Sequence, residues 1–218
     1  MRRVNPIIGA MARFVVIFGL LIFPWPGWND IYGGYFRALG QAAFGSQDEQ
    51  RIVRFEPHHL QHGSESLNTQ LTVQNRALLD SGGNGPTTET PLDTRSIGWL
   101  PTALTLALIL ATPVPWRQRG WAVVWGMLLV QVFILFSLQI EIWYWWYEPP
   151  TISSVHLSPF CLSILDNLRY TLITQIGASF SVPILIWILV TIRREDLFNF
   201  VSSQNGNKAT DRVKSKRT

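Results

Sequence analysis

Cys161 is the single cysteine of the 218-residue chain, and a thiolate becomes a strong nucleophile when a neighbouring base or cation lowers its pKa. His156 and Arg169 lie near it in the sequence and are the residues that would have to activate it. Proximity in sequence establishes neither a base within hydrogen-bond reach nor a lowered pKa. The alternative is a small apolar residue in an interfacial segment, and we therefore predict that Cys161 is not catalytic. One cysteine also excludes an internal disulfide.

A second group with possible chemistry is a histidine cluster, in which His58 and His62 would share one face of a helix, with His59 beside them. This spacing occurs in some metal sites. No cysteine or suitable carboxylate nearby completes a coordination shell, and Pro57 directly precedes the cluster. We predict a solvated loop here, and we expect no metal and no other cofactor.

Glu141 directly follows a long apolar segment, and an aromatic run comes after it: Trp143, Tyr144, Trp145, Trp146 and Tyr147. Acidic side chains inside a membrane are functional candidates by default. This one lies where its segment should leave the hydrocarbon, so we interpret it as an interfacial carboxylate beside an aromatic belt. A hydrophobic cofactor or a partner protein facing the aromatic run is the alternative.

The elements that must position these residues are those of a membrane protein. Hydrophobic residues make up 47% of the chain and charged residues only 15%, whereas a soluble domain carries about 25% charged residues. Four apolar segments approach the roughly 20 residues that cross a bilayer, namely residues 7–23, 98–116, 120–140 and 170–192. The last three contain no charged side chain. The sequence therefore predicts a membrane α-helical protein with four transmembrane helices and excludes an ordinary soluble enzyme.

Basic residues predict the orientation of these helices. With both termini in the cytoplasm, twelve of the eighteen Lys and Arg lie inside with three acidic residues, and six lie outside with eleven acidic residues. This is the positive-inside distribution of a multi-pass membrane protein. Attraction to anionic lipid accounts for the basic tail at about 1 kcal/mol per residue, so we expect membrane lipids as partners and no nucleic acid.

Four units follow along the chain. Residues 1–28 form a signal anchor, because no small-x-small cleavage site follows the apolar run directly. Residues 29–97 are extracytoplasmic, residues 98–192 contain three helices with an outer loop at 141–169, and residues 193–218 form a basic tail. Tryptophans at the predicted helix ends suit the headgroup layer and are expected to anchor the helices there: Trp25, Trp28, Trp99, Trp116, Trp143, Trp145 and Trp146.

The extracytoplasmic segment is expected to be a small α+β insertion. Residues 31–44 have the pattern of an amphipathic interfacial helix, and residues 51–56 and 67–74 alternate apolar and polar side chains as a two-stranded β-ribbon does. The ribbon has too few apolar residues to order itself, and unpaired strand edges readily pair with another chain. We therefore expect the binding surface for another membrane protein here, with these tentative contacts: Phe55, Leu71, Val73, Asp93 and Arg95.

Short motifs rich in Pro, Trp and Leu surround the second apolar segment. They are Asp93-x-Arg95-x-x-x-Trp99-x-Pro101-Thr102-Ala103-Leu104, the run from Ala107 to Arg117, Phe23-Pro24-Trp25-Pro26-Gly27 and Tyr35-Phe36-Arg37. In these motifs the chain resembles exosortase-associated small membrane proteins, in particular those that accompany the H-type exosortase. The resemblance covers most of residues 14–135.

The resemblance implies a non-catalytic accessory or scaffold role in a complex that sorts envelope proteins. It also implies that the membrane is the inner membrane of a bacterium. Exosortases themselves are multi-helix transpeptidases that use Cys, Arg and His, and the resemblance assigns no catalytic residue to this shorter chain. Two other hypotheses stay open. In the first, the chain is a structural subunit of an energy-transducing or pigment-binding complex. In the second, it is a membrane thiol enzyme that uses Cys161.

Overall fold

The computed structural model describes residues 6–45, 50–58, 67–80, 85–148, 157–174 and 176–191. Within these ranges the chain forms six α-helices and one antiparallel sheet of three strands in the order β1-β2-β3. The elements are α1 Pro6–Ile22, α2 Trp28–Phe44, β1 Arg51–Pro57, β2 Leu67–Asn75, β3 Thr87–Asp93, α3 Leu100–Ala111, α4 Trp116–Tyr147, α5 Pro159–Arg169 and α6 Ile176–Thr191. A mostly helical fold with a small β element is confirmed.

α4 is the longest helix, and its 32 residues rise about 48 Å. It contains the predicted span 120–140 and is long and apolar enough to cross a membrane by itself. α5 and α6, bent by 74° relative to each other, meet the same criteria only together. The described residues thus hold one helix able to span a membrane, or two if the bent pair counts as one span. The arrangement with four spans stays a prediction.

The second predicted span is shorter than expected. One π-helical turn, Arg95–Trp99, leads directly into α3, and the helix ends at Ala111 instead of at 116. Thr112 already has extended backbone, because Pro113 disfavours a helical conformation in the residue before it and removes a backbone donor. The continuous helix from Arg95 to Ala111 has 17 residues and rises about 26 Å.

α3 lies at the centre of the helices and contacts α1, α4 and α6. Its buried residues Ala103, Ala107 and Ala111 recur every four positions, so a stripe of small side chains lets neighbouring helices approach closely. Gly126 of α4 serves the same purpose, since a Cβ atom there would lie 2.5 Å from Cδ1 of Ile109. These small residues determine the packing, and hydropathy alone does not identify them.

The sheet has three strands, so the prediction of a two-stranded ribbon is wrong. β1 and β2 pair as expected, with Phe55 opposite Leu71 and Val73 opposite Val53. β3 pairs with the other side of β2. Three of its seven residues are threonine, and Leu92 is its buried apolar residue. This alternation is too weak to identify a strand. Pro91 is tolerated because β3 is an edge strand.

The apolar face of the sheet packs on the chain's own helices. Phe55, Leu71 and Val73 are buried in one hydrophobic cluster with Phe36 of α2 and Trp146 of α4. α2 extends the predicted helix 31–44 by one turn, and its amphipathic pattern serves this contact. Gly40 of α2 faces the Phe55 ring so closely that a Cβ atom would lie 2.9 Å from it. The ribbon therefore needs no partner to cover its apolar side chains.

Candidate functional site

Two of the motifs behind the family resemblance, Phe23–Gly27 and Asp93–Leu104, meet at the carboxyl end of α1. The last carbonyls of this helix accept hydrogen bonds from three side chains: Trp25 Nε1 to Leu20 O at 3.0 Å, Trp99 Nε1 to Leu21 O at 3.0 Å and Arg95 Nη2 to Ile22 O at 2.9 Å. Carbonyls at a helix end lack intrahelical donors, and a cation is favourable there. We call this contact of Trp25, Trp28, Tyr32, Asp93, Arg95 and Trp99 the outer junction.

Asp93 begins the helix that contains Arg95. Its Oδ1 accepts hydrogen bonds from the backbone N–H of Arg95 at 2.9 Å and of Ser96 at 3.3 Å. A carboxylate in this position caps a helix amino end and interacts favourably with the helix dipole. Asp93 and Arg95, the two predicted partner contacts, thus lie side by side. Asp93 caps the amino end of the helix that leads into α3, whereas Arg95 binds the carboxyl end of α1. The Asp93 carboxylate accepts from backbone, and the Arg95 guanidinium donates to backbone.

Aromatic rings fill the rest of the outer junction. The ring of Trp99 packs edge-on against Trp28 and Tyr32, with centroid distances of 4.9 and 5.3 Å. Burial raises the pKa of the Tyr32 phenol. The remaining cavity has a volume of about 10 Å³, which is room for about one water molecule. The outer junction is therefore a packed structural joint with no space for a substrate.

Asn68 connects the sheet to this joint. Its Nδ2 donates to Asn29 O of α2 at 3.2 Å, and its Oδ1 accepts from Thr94 Oγ1 at 2.7 Å. Arg37 Nη1 of α2 donates to its backbone oxygen at 3.3 Å. The register between β2 and β3 shifts at this point, between Leu67 and Thr69, as a β-bulge does when it redirects side chains. One amide side chain thus joins three segments.

Glu141 of α4 forms a salt bridge and a side-chain hydrogen bond. It is buried, and its Oε2 accepts from Arg169 Nε at 2.9 Å. Trp145 Nε1 donates to its Oε1 at 2.7 Å, and the Arg169 guanidinium lies over the Tyr144 ring at 4.3 Å. A buried carboxylate requires such partners. The interpretation of Glu141 as an interfacial carboxylate stays a prediction. Its partner in the structure is Arg169, which fastens α5 to α4.

The predicted tryptophan anchors differ in their surroundings. Trp116 is 82% exposed and Trp25 52% exposed, and Trp143 is also exposed. Trp28, Trp99 and Trp145 are half-buried. Trp146 is 5% exposed and lies under the sheet, where the Arg51 guanidinium of β1 covers its ring at 4.8 Å. Trp146 is thus a core residue, because the sheet occupies the space that the sequence analysis assigned to headgroups.

Cys161 lies exposed in the first turn of α5. Its backbone N–H donates to Ser158 Oγ at 3.3 Å, which caps the helix. Arg169 is engaged by Glu141, and His156 falls outside the described residues. No described side chain is in a position to activate the thiol. In the histidine cluster, His58 contacts Gln70 Oε1 at 3.1 Å, while His59 and His62 fall outside the described residues.

A continuous apolar groove separates α4 from α6. Its two halves have volumes of about 580 and 530 Å³ and share Leu129 and Leu189. The wall from α4 runs from Gln118 to Phe136, a rise of about 27 Å. Trp121 and Trp125 line one half, and both are more than half exposed. This α4–α6 groove was missed from the sequence, because hydropathy identifies apolar helices but not the gap between them.

Both edges of the sheet are protected against pairing. Gln41 Oε1 of α2 accepts from the backbone N–H of Phe55 at 3.3 Å, so α2 occupies the edge of β1. Pro91 lies in β3, and a proline on an edge strand obstructs further strand addition. Neither device was identified from the sequence, since Gln41 is one polar residue among many and β3 was not predicted as a strand. The sequence predicted that a strand of a partner pairs with an edge of the sheet. At Phe55 and at Pro91 no free edge is available for such pairing.

Comparison of the chain with protein-family models, with curated proteins and with solved structures gives no match. The resemblance to exosortase-associated proteins stays a prediction. Among the described residues, no group of three His, Cys, Asp or Glu side chains is arranged to hold a metal ion. The features that remain for a functional interpretation are the outer junction, the Glu141–Arg169 pair and the α4–α6 groove.

Proposed function

We propose that this chain is a non-catalytic accessory subunit of a bacterial inner-membrane complex for exosortase-type protein sorting. In this proposal α1, α3, α4 and α6 cross the membrane, both termini lie in the cytoplasm, and the sheet lies on the outer side. The chain binds a transmembrane helix of its partner protein in the α4–α6 groove.

The contacts between helix ends support this orientation. The outer junction joins the carboxyl end of α1 to the amino end of α3, and Ser179 of α6 donates to Ser96 O at 3.1 Å on the same side. At the opposite end Trp187 Nε1 donates to Thr112 Oγ1 at 2.8 Å, and Arg119 Nη2 donates to Thr112 O at 3.1 Å. The four proposed spans α1, α3, α4 and α6 therefore run in alternating directions. The end with Arg117 and Arg119 is the one that the positive-inside rule assigns to the cytoplasm.

The observation that carries the proposal is the length of the α4–α6 groove. Its rise of about 27 Å along α4 is close to the roughly 30 Å thickness of the hydrocarbon core. A lipid chain occupies one leaflet, whereas a transmembrane helix occupies both. A helix of another protein is thus the occupant that fills the whole groove. The protected sheet edges and the buried faces of Phe55, Leu71 and Val73 favour a contact within the membrane over one at the sheet.

Site-specific photo-crosslinking in the source bacterium tests this proposal. A benzophenone amino acid replaces Leu185, which is 63% exposed and lines the α4–α6 groove. We expect irradiation to link the chain to the exosortase of the same cell. The matched control places the same amino acid at Val16 of α1, which is 61% exposed outside the groove, and should give no such product.

A second variant tests whether the groove itself is required. Leu189 lines both halves of the groove, and Leu189→Trp partly fills it. We expect recovery of the exosortase with the tagged chain to fall about tenfold, or by about 1.4 kcal/mol of binding free energy, at unchanged membrane level. Val16→Trp should not reduce recovery. Equal recovery for both variants, without a crosslink at position 185, would refute binding in the groove.

A further inference from the structure

α5 carries three different faces, although it has only 11 residues. The half-buried face has Leu162, Leu165 and Arg169, and Arg169 binds Glu141 of α4. A second face is polar and exposed, with Ser163, Asp166 and Asn167. The third is apolar and exposed. We call it the α5 stripe, and it consists of Phe160, Ile164 and Leu168, with Cys161 beside them.

The α5 stripe exposes large side chains at helical spacing. Phe160 is 74% exposed, Ile164 50% and Leu168 37%. Residues four positions apart lie on one face of a helix. Water would be an unfavourable surrounding for such a stripe. A helix of this length rises only about 17 Å and is too short to cross a bilayer.

The position and direction of α5 fit the membrane interface. Arg169 fastens it to Glu141, and the aromatic run of α4 that includes the exposed Trp143 begins two residues after Glu141. Exposed tryptophans are typical of the headgroup layer. The α5 axis makes an angle of 74° with that of α6. If α6 crosses the bilayer, α5 therefore lies nearly parallel to its surface.

We propose that α5 is an interfacial helix that inserts Phe160, Ile164 and Leu168 into the outer leaflet, while Asp166 and Asn167 face water. This inference rests on the membrane location given under the proposed function. The occupant is the lipid surface, because Glu141 and Arg169 fix α5 at the level of the aromatic run. The exposed polar face carries Asp166 and no basic residue. Apolar burial, and not attraction to anionic headgroups, therefore holds α5 in place.

Fluorescence quenching in vesicles tests the inference. The full chain, with Cys161→Ser, is reconstituted into phosphatidylcholine vesicles with the outer side exposed. A single cysteine at Ile164 or, as the matched control, at Asn167 carries an environment-sensitive fluorophore. We expect a shallow nitroxide lipid to quench the label at 164 at least about twice as strongly as the label at 167. Aqueous iodide should show the reverse order, and phosphatidylglycerol should leave both results unchanged.

Two further labelled positions serve as controls, one for the substitutions and one for the membrane location. Native Cys161, labelled in the unaltered chain, should resemble position 164, which excludes an effect of the substitutions. A label at Val132, in the middle of α4, reports the membrane location itself by quenching with a deep nitroxide lipid. If iodide reaches position 164 as readily as position 167 while Val132 is quenched in the bilayer, α5 does not insert and the proposed function is unaffected. If iodide also reaches Val132, the membrane location fails with it.

Discussion

The outer junction and the α4–α6 groove lie on different helices and are packed in opposite ways. At the outer junction, ring contacts and side-chain hydrogen bonds leave a cavity of about 10 Å³. In the groove, apolar side chains face an open space whose two halves have volumes of about 580 and 530 Å³. A closed joint fixes the relative positions of elements, whereas an open apolar groove keeps a surface available. The contrast is between a closed joint at the end of α1 and an exposed apolar surface between α4 and α6.

Replacing a phenylalanine beside the outer junction and one in the groove tests this contrast with the largest expected effect. Phe36→Ala removes a ring that is fully buried between α2 and the sheet, and we expect a loss of about 3–5 kcal/mol in unfolding free energy. Phe136→Ala in the groove, where the ring is 51% exposed, should cost less than about 1 kcal/mol. Denaturant titration in detergent, followed by tryptophan fluorescence, measures both. Equal losses would contradict the distinction between joint and groove.

Adding a single methyl group tests the close packing of the outer junction. In Gly98→Ala the new Cβ would lie 2.5 Å from the hydroxyl oxygen of Tyr32, which is itself held by aromatic neighbours. We expect a loss of about 1–3 kcal/mol. Gly19→Ala is the control, since nothing lies within 4 Å of its Cβ position, and it should stabilise α1 by up to about 1 kcal/mol. Thermal unfolding of both variants gives the comparison, and a neutral Gly98→Ala would show that the joint is loose.

The smallest effect concerns alkaline pH. Burial raises the pKa of Tyr32 above its value of 10.0 in the unfolded chain, so the folded state favours the neutral phenol. This contribution is fully present below pH 10 and is lost as the pH rises above it. We expect Tyr32→Phe to weaken the fall in unfolding free energy between pH 9 and 11. Unfolding free energies of the unaltered chain and of Tyr32→Phe, measured across this pH range, give the comparison, and equal slopes would contradict the burial of the phenol.

Much of the secondary structure could be predicted from sequence periodicity. α2, β1 and β2 lie where alternation or helical spacing placed them, and α4 contains the predicted span 120–140. β3 could not be predicted, because Leu92 is its one buried apolar residue and Pro91 argues against a strand. What identifies β3 as a strand is its hydrogen-bonded pairing with β2, which is a tertiary contact and leaves no local signal in the sequence. The same holds for α5, whose 11 residues were assigned to an outer loop.

The roles of single residues were harder to predict than their importance. Asp93, Arg95 and Trp99 were singled out as a group, and the structure brings them together. Their partners are backbone groups of helix ends, and sequence comparison cannot distinguish such contacts from contacts with another protein. Asn68 was not singled out at all. An amide between two strand residues gives no local signal that it will join three segments.

The hydrogen bonds at the end of α1 have a consequence for biogenesis. α1 leaves the ribosome before α3 does, and the Arg95 donor of Ile22 O lies 73 residues further along the chain. At roughly 5–20 residues per second, its synthesis takes about 4–15 s longer. A nascent chain arrested before residue 95 therefore carries an α1 that lacks two of its three side-chain donors. Synthesis of residues 95–99 therefore supplies the two side-chain donors that the end of α1 still lacks.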